Sequence, residues 1–389
     1  MAVLRPVPLL LTAAVGVVGA NSLVLGPIAP VVAGNLGSET GAVLTASAGY
    51  GLAVAVSALT LAPQVDRIGA GRVVVLSLVM LALALMLSAA APTVAILVPA
   101  QVLAGIAAGA ALPAIYSLAS EVAHPGEEAA TLGLVLTGWT LALVAGVSVA
   151  GPVSEYLHWR IVYIALAVLG VLICLGLQIR LRGRGAPIDG RTVSPLVALG
   201  TPGIRPALFG VATFMMAFYG LYTWIGPHVQ LVLERSAAAT GLIPLSYGSG
   251  FGLAVLLDRV IDRMGAARMA PRILFLLTGI YLGLALSVGS FWPLVAVCFA
   301  WGLVNHLAMT LLVARLSALD PARRGAILGL YSATTYICVA IGVTLFRPIF
   351  ESYGLGAAAA VSALCILPAA MQALRAAPRA SVPQPRRAS

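Results

Sequence analysis

The residues of this chain able to do chemistry are few, and they fall into two groups. One is a short charged motif that occurs twice. Val65-Asp66-Arg67-Ile68-Gly69-Ala70-Gly71-Arg72 returns 196 residues later as Ile261-Asp262-Arg263-Met264-Gly265-Ala266-Ala267-Arg268. In each copy a carboxylate that can accept from helix N-terminal amides stands beside arginines that can pair with carboxylates or helix C-termini. The other group is polar and set within apolar runs: Asn21, Gln101, Asn305 and His306. Such groups are costly inside a membrane and point to function; the alternative is hydrogen bonding between neighbouring helices. His306 is the best proton carrier among them, because imidazole changes charge near physiological pH. Its bland reading is a neutral ring bonded to a backbone carbonyl.

Composition dictates the elements that position these residues. Hydrophobic residues make up 61% of the 389, charged residues 9%, and the mean hydropathy is +1.06. A soluble chain of this size needs far more charge to cover its surface. Apolar runs of roughly 18 or more residues read as transmembrane helices. Twelve are expected, at about 9–32, 41–63, 73–91, 94–119, 131–153, 160–179, 206–229, 241–258, 273–290, 293–314, 326–346 and 355–374. The net charge of +10 comes with no lysine at all. Threaded through these spans, every arginine except Arg160, Arg235 and Arg347 falls on one face, as the positive-inside rule requires. That places both termini in the cytoplasm, in a bacterial inner membrane, and explains the high pI without nucleic acid. Cys174, Cys298, Cys338 and Cys365 lie in apolar runs and read as small buried hydrophobes, not metal ligands or disulfides.

The repeat extends beyond the charged motif. Leu25-Gly26-Pro27 resembles Ile225-Gly226-Pro227, and Tyr50-Gly51-Leu52-Ala53-Val54 resembles Phe251-Gly252-Leu253-Ala254-Val255. Pro125, Gly133 and Leu134 recur as Pro321, Gly329 and Leu330, and Gly146, Pro152 and Glu155 as Gly342, Pro348 and Glu351. Six spans per copy give both copies one orientation, so the expected fold is an all-α polytopic membrane protein of two parallel six-helix repeats. The expected division is a first bundle at 1–179, a cytoplasmic linker at 180–205, a second bundle at 206–374 and a disordered cytoplasmic tail at 375–389.

On these residues the chain resembles the major facilitator superfamily of transporters over essentially its whole length. Asp66, Arg67, Gly69 and Arg72 match that family's Asp-Arg-x-Gly signature, and Asp262, Arg263, Gly265 and Arg268 repeat it. The resemblance implies a cytoplasmic gate that latches the two halves; the alternative is a solvated turn. Gly146 to Gly151, followed by Trp159-Arg160, resembles the fifth helix of the 12-helix drug/proton antiporter and bacterial sugar-efflux branch, without its proline and one glycine. Where the family's fourth helix carries an arginine, this chain has Gln101 ahead of Gly105, which puts proton coupling by that route in doubt.

The resemblance also implies a substrate site at the midplane, lined mainly by spans 1, 4, 7 and 10. The candidates are Asn21, Gln101, Trp139, Tyr219, Tyr222, Tyr247, Asn305, His306, Tyr331 and Thr335, with Met and Phe residues of span 7 as weaker ones. No carboxylate is central to a span, so any proton coupling falls to His306, to Glu121 or Asp258 at the rim, or to the substrate's own charge; Asp258 and Asp262 also read as part of the second latch. An uncharged, aromatic and hydroxyl-bearing lining favours neutral or weakly cationic solutes over phosphates or dicarboxylates. The expected function is proton-coupled export of a small amphipathic compound or sugar by a monomer, with no cofactor and no metal. Uptake or facilitated diffusion on the same fold, and a scaffold or receptor role, are the alternatives. Paired catalytic groups and a phosphate-binding Gly-x-x-x-x-Gly-Lys loop are both absent, which argues against an enzyme or direct ATP drive.

Overall fold

The computed structural model describes residues 6–61, 68–124, 127–181, 195–320 and 323–376. Asp66 and Arg67, residues 182–194 of the expected linker, nearly all of the expected tail and the side chain of Asp262 lie outside that description. Among the described residues, ten helices are long and apolar enough to cross a membrane, two of them running 52 and 50 residues. At about 1.5 Å per residue, each of those two is more than twice the roughly 30 Å hydrocarbon core, so each is two crossings. The first passes through π-helical turns at Ala142–Val147 and Ser154–His158, where an extra residue bends the path. The second breaks at Gly354, whose φ of 78° suits glycine alone.

Among the described residues this gives twelve membrane-crossing helices: α1 (Pro6–Leu36), α2 (Thr40–Thr60), α3 (Ala70–Ala90), α4 (Val94–Val122), α5 (128–158), α6 (Trp159–Leu181), α7 (Ile204–Leu231), α8 (237–264), α9 (Ala266–Ser287), α10 (Phe291–Ser317), α11 (324–353) and α12 (355–376). Ahead of α7, Pro195–Gly200 forms a short 3₁₀ turn, and the Pro195 ring sits over Gly329 of α11. The buried positions run all round the helix at 17–29 in α1 and 217–229 in α7, as befits central helices apolar on every side. Leu76 and Leu83 of α3, Leu172 of α6, Leu286 of α9 and Leu364 of α12 point outward, where lipid tails replace protein as the apolar neighbour. The four cysteines are free thiols, with Cys365 half-buried.

The sequence repeat is also a contact repeat. Gly69 and Gly265 precede α3 and α9 with φ of 93° and 86°, a conformation only glycine takes without strain. The Gly69 carbonyl accepts from the amides of Arg72 and Val73, both at 3.1 Å, and that of Gly265 from Arg268 and Met269 at 3.0 and 3.2 Å. Gly26 and Gly226 meet each other: a Cβ added to Gly226 would stand 2.6 Å from the Gly26 oxygen and from the Pro27 Cα. Equivalent residues that touch must lie near the axis relating the halves, so α1 and α7 cross on it.

One sequence match needs correction. The Tyr50 carbonyl lies against Gly105 as the Tyr247 carbonyl lies against Gly302. Across the halves, a Cβ on Gly51 would meet that of Val339 at 2.9 Å, and one on Gly248 would meet that of Leu143 at 2.7 Å. Tyr50 is therefore equivalent to Tyr247, one turn before the Phe251 that sequence similarity assigned to it. Residues four apart share a helix face, so the displaced match kept the pattern while missing the partner.

Candidate functional site

In the first half, Asn21 of α1 and Gln101 of α4 are buried and face one another. Asn21 Nδ2 donates to Gln101 Oε1 at 3.2 Å, Gln101 Nε2 returns a bond to Asn21 Oδ1 at 3.4 Å, and the same nitrogen donates to Ser88 Oγ of α3 at 2.9 Å. Two amides that satisfy each other tie α1, α3 and α4 together. The pairing takes up one donor and one acceptor site of Asn21, and the bond to Ser88 takes the second Gln101 donor.

The second half holds an aromatic box instead. Phe218 of α7 stacks on Tyr222 at 5.3 Å between centroids, approaches Tyr247 of α8 at 5.5 Å and Trp301 of α10 at 5.4 Å, and Tyr247 meets Trp301 edge-on at 4.9 Å. Such offset and edge-to-face contacts suit the ring quadrupole. Asn305 Nδ2 donates to the Tyr247 hydroxyl at 2.6 Å, while Asn305 Oδ1 and the Tyr222 and Tyr336 hydroxyls are buried without a hydrogen-bond partner. Buried polar atoms are nearly always paired, so the Asn305 oxygen and the Tyr222 hydroxyl, both on this aromatic surface, are candidates for a solute's hydrogen bonds, while Tyr336 belongs to the tyrosine cluster between the halves.

Between the halves the cluster is mostly tyrosine. Tyr50 of α2 meets Tyr336 of α11 edge-on at 6.3 Å, and the hydroxyls of Tyr116, Tyr219 and Tyr331 lie within electrostatic reach of Tyr336. Trp139 Nε1 donates to the Tyr116 hydroxyl at 3.3 Å. Of the expected lining, Trp139, Tyr219, Tyr331 and Thr335 come to this seam, and Tyr222, Tyr247 and Asn305 to the adjoining box. Tyr50, Tyr116 and Trp301 were not singled out in the sequence. The signal available for Tyr50 was its place beside Gly51, one of the glycines that let α2 approach α11.

His306 and Asp258, expected as separate proton-carrying candidates, are partners. His306 Nε2 lies 3.2 Å from Asp258 Oδ2 across α10 and α8, and the Phe251 ring meets the imidazole edge-on at 4.8 Å. The histidine side chain is 11% exposed and the aspartate 32%, so the pair joins the buried box to solvent at the arginine-rich face. Glu121 is elsewhere: it is exposed near the end of α4 and accepts from Ser117 Oγ at 3.0 Å. Arg72, Arg263 and Arg268 of the gate motifs are exposed. Among the described residues, no group of three or more His, Cys, Asp or Glu could hold a metal ion.

The description Major Facilitator Superfamily matches residues 11–343. This chain belongs to that family. It is 28% identical over 366 residues, 92% of this chain and 88% of the relative, to the uncharacterized MFS-type transporter YwfA of Bacillus subtilis. It is 25% identical to a probable sugar efflux transporter of Pasteurella multocida over 61% of this chain and 59% of that one. Its fold is similar to the crystal structure of a bacterial homologue of the human lysosomal transporter Spinster, in an inward-facing and occupied conformation. That likeness has a TM-score of 0.73 at 16% identity and covers 95% and 96% of the two chains. As a major facilitator the chain is a multi-pass secondary transporter of a small-molecule substrate, not an enzyme.

In this major facilitator chain, the face opposite the arginine-rich one is sealed. Beyond the Gly26–Gly226 crossing, Gln230 Nε2 donates to the Pro27 carbonyl at 2.5 Å, the Ala238 amide donates to Glu155 Oε2 at 2.6 Å, and Arg347 reaches Glu39 at 3.1 Å. Toward the arginine-rich side, Tyr116, Trp139 and Tyr331 keep part of their surface exposed, whereas Tyr219, Tyr222 and Tyr247 are buried. The site is thus built to be approached from the arginine-rich face.

Proposed function

We propose that this chain is a proton-coupled exporter, in a bacterial inner membrane, of a small neutral or weakly cationic amphipathic compound or sugar. The observation carrying this reading is an uncharged aromatic box in the second half, with an orphaned amide oxygen and an orphaned hydroxyl, that adjoins the tyrosine cluster where the two halves meet. A ring platform beside an amide oxygen and a hydroxyl suits a solute with one apolar face and hydrogen-bonding groups. It offers no arginine to a phosphate or dicarboxylate. The Pasteurella relative's name, a sugar efflux transporter, agrees with that class. The arginine bias supports an arginine-rich cytoplasmic face, with both termini there and the gate motifs of Asp66 and Asp262 closing it. The division into bundles 1–179 and 206–374, a 180–205 linker and a 375–389 tail, acting as a monomer, belongs to the same reading.

His306 and Asp258 would carry the coupling proton, since imidazole and carboxylate at this distance can share one. Rocking of the halves about the midplane site would then exchange the open face. The test is flux in proteoliposomes under an imposed pH gradient, over a panel of amphipathic amines and sugars selected by thermal shift. Export coupled to protons requires solute movement to drive proton counterflow. The second reading, a facilitator, is favoured by the uncharged Asn21–Gln101 pair in the family's arginine position; solute flux indifferent to the gradient would establish it.

A further inference from the structure

The sealed face is closed by two seams that the repeat makes equivalent, yet they are built differently. In the α5/α8 seam, Gly151 lies directly against the Ala237 carbonyl and Gly241 against that of Ser148, backbone on backbone. Glu155 Oε2 completes it by accepting from the Ala238 amide at 2.6 Å. In the α2/α11 seam, the position equivalent to Gly151 is Arg347. Its guanidinium covers Gly41, where an added Cβ would stand 2.5 Å away, and it bridges Glu39 at 3.1 Å and Glu351 at 2.7 Å. The Glu351 of this seam is the repeat partner of Glu155. Beside it lies a pocket of about 360 Å³ floored by Trp224 and Phe350, which stack at 4.9 Å.

We propose that the opposite-face exit opens at the α2/α11 seam, with Arg347 as its releasable latch, while the α5/α8 seam stays shut as the hinge. Exposed ion pairs contribute little, and Glu39 is 82% and Glu351 47% exposed, so the three charges can part into water. The pocket already opens this seam at its rim, while deeper along it a Cβ on Gly51 would stand 2.9 Å from the Tyr336 carbonyl oxygen. At the α5/α8 seam the Glu155 carboxylate bonds an amide of the facing helix rather than filling the gap between the helices, and parting the Gly151 and Gly241 contacts would break close-packed main-chain contact. The inference rests on the transport reading, and its test is independent of flux.

The test uses a variant lacking the four native cysteines and carrying Ser22→Cys, on α1 between Tyr50 and Tyr219. Its reaction with a membrane-impermeant maleimide is followed from the Arg347 side of proteoliposomes. Arg347→Gln and Glu39→Gln are each expected to speed labelling by about two- to fivefold, the range an exposed ion pair allows, and Glu155→Ala to leave it at the parent's rate. Glu39→Gln preserves the Arg347–Glu351 pair, so a folding defect in the arginine variant leaves the second arm intact. A short dithiol-reactive cross-link between Thr40→Cys and Phe350→Cys is expected to stop labelling, whereas one between Glu155→Cys and Ala238→Cys leaves it. Unchanged labelling in both latch variants, or acceleration by Glu155→Ala equal to theirs, overturns the proposal. Solute flux is measured separately, so failure of the transport reading would be seen as absent flux with these rates still distinct.

Discussion

The α1/α7 crossing can be tested by one methyl group. In Gly226→Ala, the new Cβ would lie 2.6 Å from both the Gly26 oxygen and the Pro27 Cα, with the Gly26 carbonyl carbon at 3.1 Å. Ordinary carbon contact begins at about 3.5 Å, so the helices must separate by nearly ~1 Å. The neighbours are backbone and proline, not side-chain ends that can turn away. Overpacking of this kind costs about 1–3 kcal/mol. The control is Gly279→Ala on α9, where an added Cβ finds nothing within 4 Å. There the loss of backbone freedom in the unfolded chain should stabilise by ~0.5–1 kcal/mol. Identical chemistry thus has opposite expected signs. Thermal unfolding of the purified variants in one detergent reads both: Gly226→Ala melts lower than the parent, and Gly279→Ala at or above it. Equal melting temperatures for the two would refute the crossing as described.

Other expectations follow from the site. Asn21→Leu alone or Gln101→Leu alone leaves one amide buried without its partner, at about 1–3 kcal/mol each, and the double variant should cost less than their sum by thermal unfolding. Asp258→Asn and His306→Ala should each abolish gradient-driven flux while solute exchange without a gradient survives; equal loss of both activities would place the pair in binding instead. Tyr222→Phe and Asn305→Leu should each weaken binding of any thermal-shift hit by about 1–2 kcal/mol; Tyr222→Phe should leave the apo melting point nearly unchanged, whereas Asn305→Leu, which strips the Tyr247 hydroxyl of its donor, should lower it. Glu121→Gln, exposed and remote from the box, should leave coupled flux within about twofold of the parent, and a coupling defect there would move the proton route to α4.

The fold was legible because membrane helices announce themselves by length, and because the glycines that matter occur in pairs. Gly26 with Gly226 and Gly69 with Gly265 stand at matching places for a backbone reason, and both pairings survive in three dimensions. The register of α2 against α8 was misread by a turn, since Tyr50-Gly51 and Phe251-Gly252 look alike along one face and only their neighbours, Gly105 and Gly302, tell them apart. For the candidate site, polarity inside apolar runs pointed to Asn305 and His306, which the structure buries at and beside the aromatic box. It could not show that Asn21 would be absorbed by Gln101, or that Asp258 would turn toward His306. Pairing across helices leaves no trace in a single sequence. Tyr116 and Trp301 were missed for the converse reason: an aromatic residue in an apolar helix looks the same whether it touches lipid, core or cavity.

The unlike furnishing of the two bundles has a mechanical corollary. One carries a dry, self-satisfied amide clasp, the other a bed of rings with unfilled valences. A passenger lying on that bed would keep most of its handholds through the whole cycle and exchange only the lid above it. The cycle would then resemble a tray passing beneath a shutter more than a hand-off between equal palms, and mutations on the tray would govern what is carried, those on the shutter how fast.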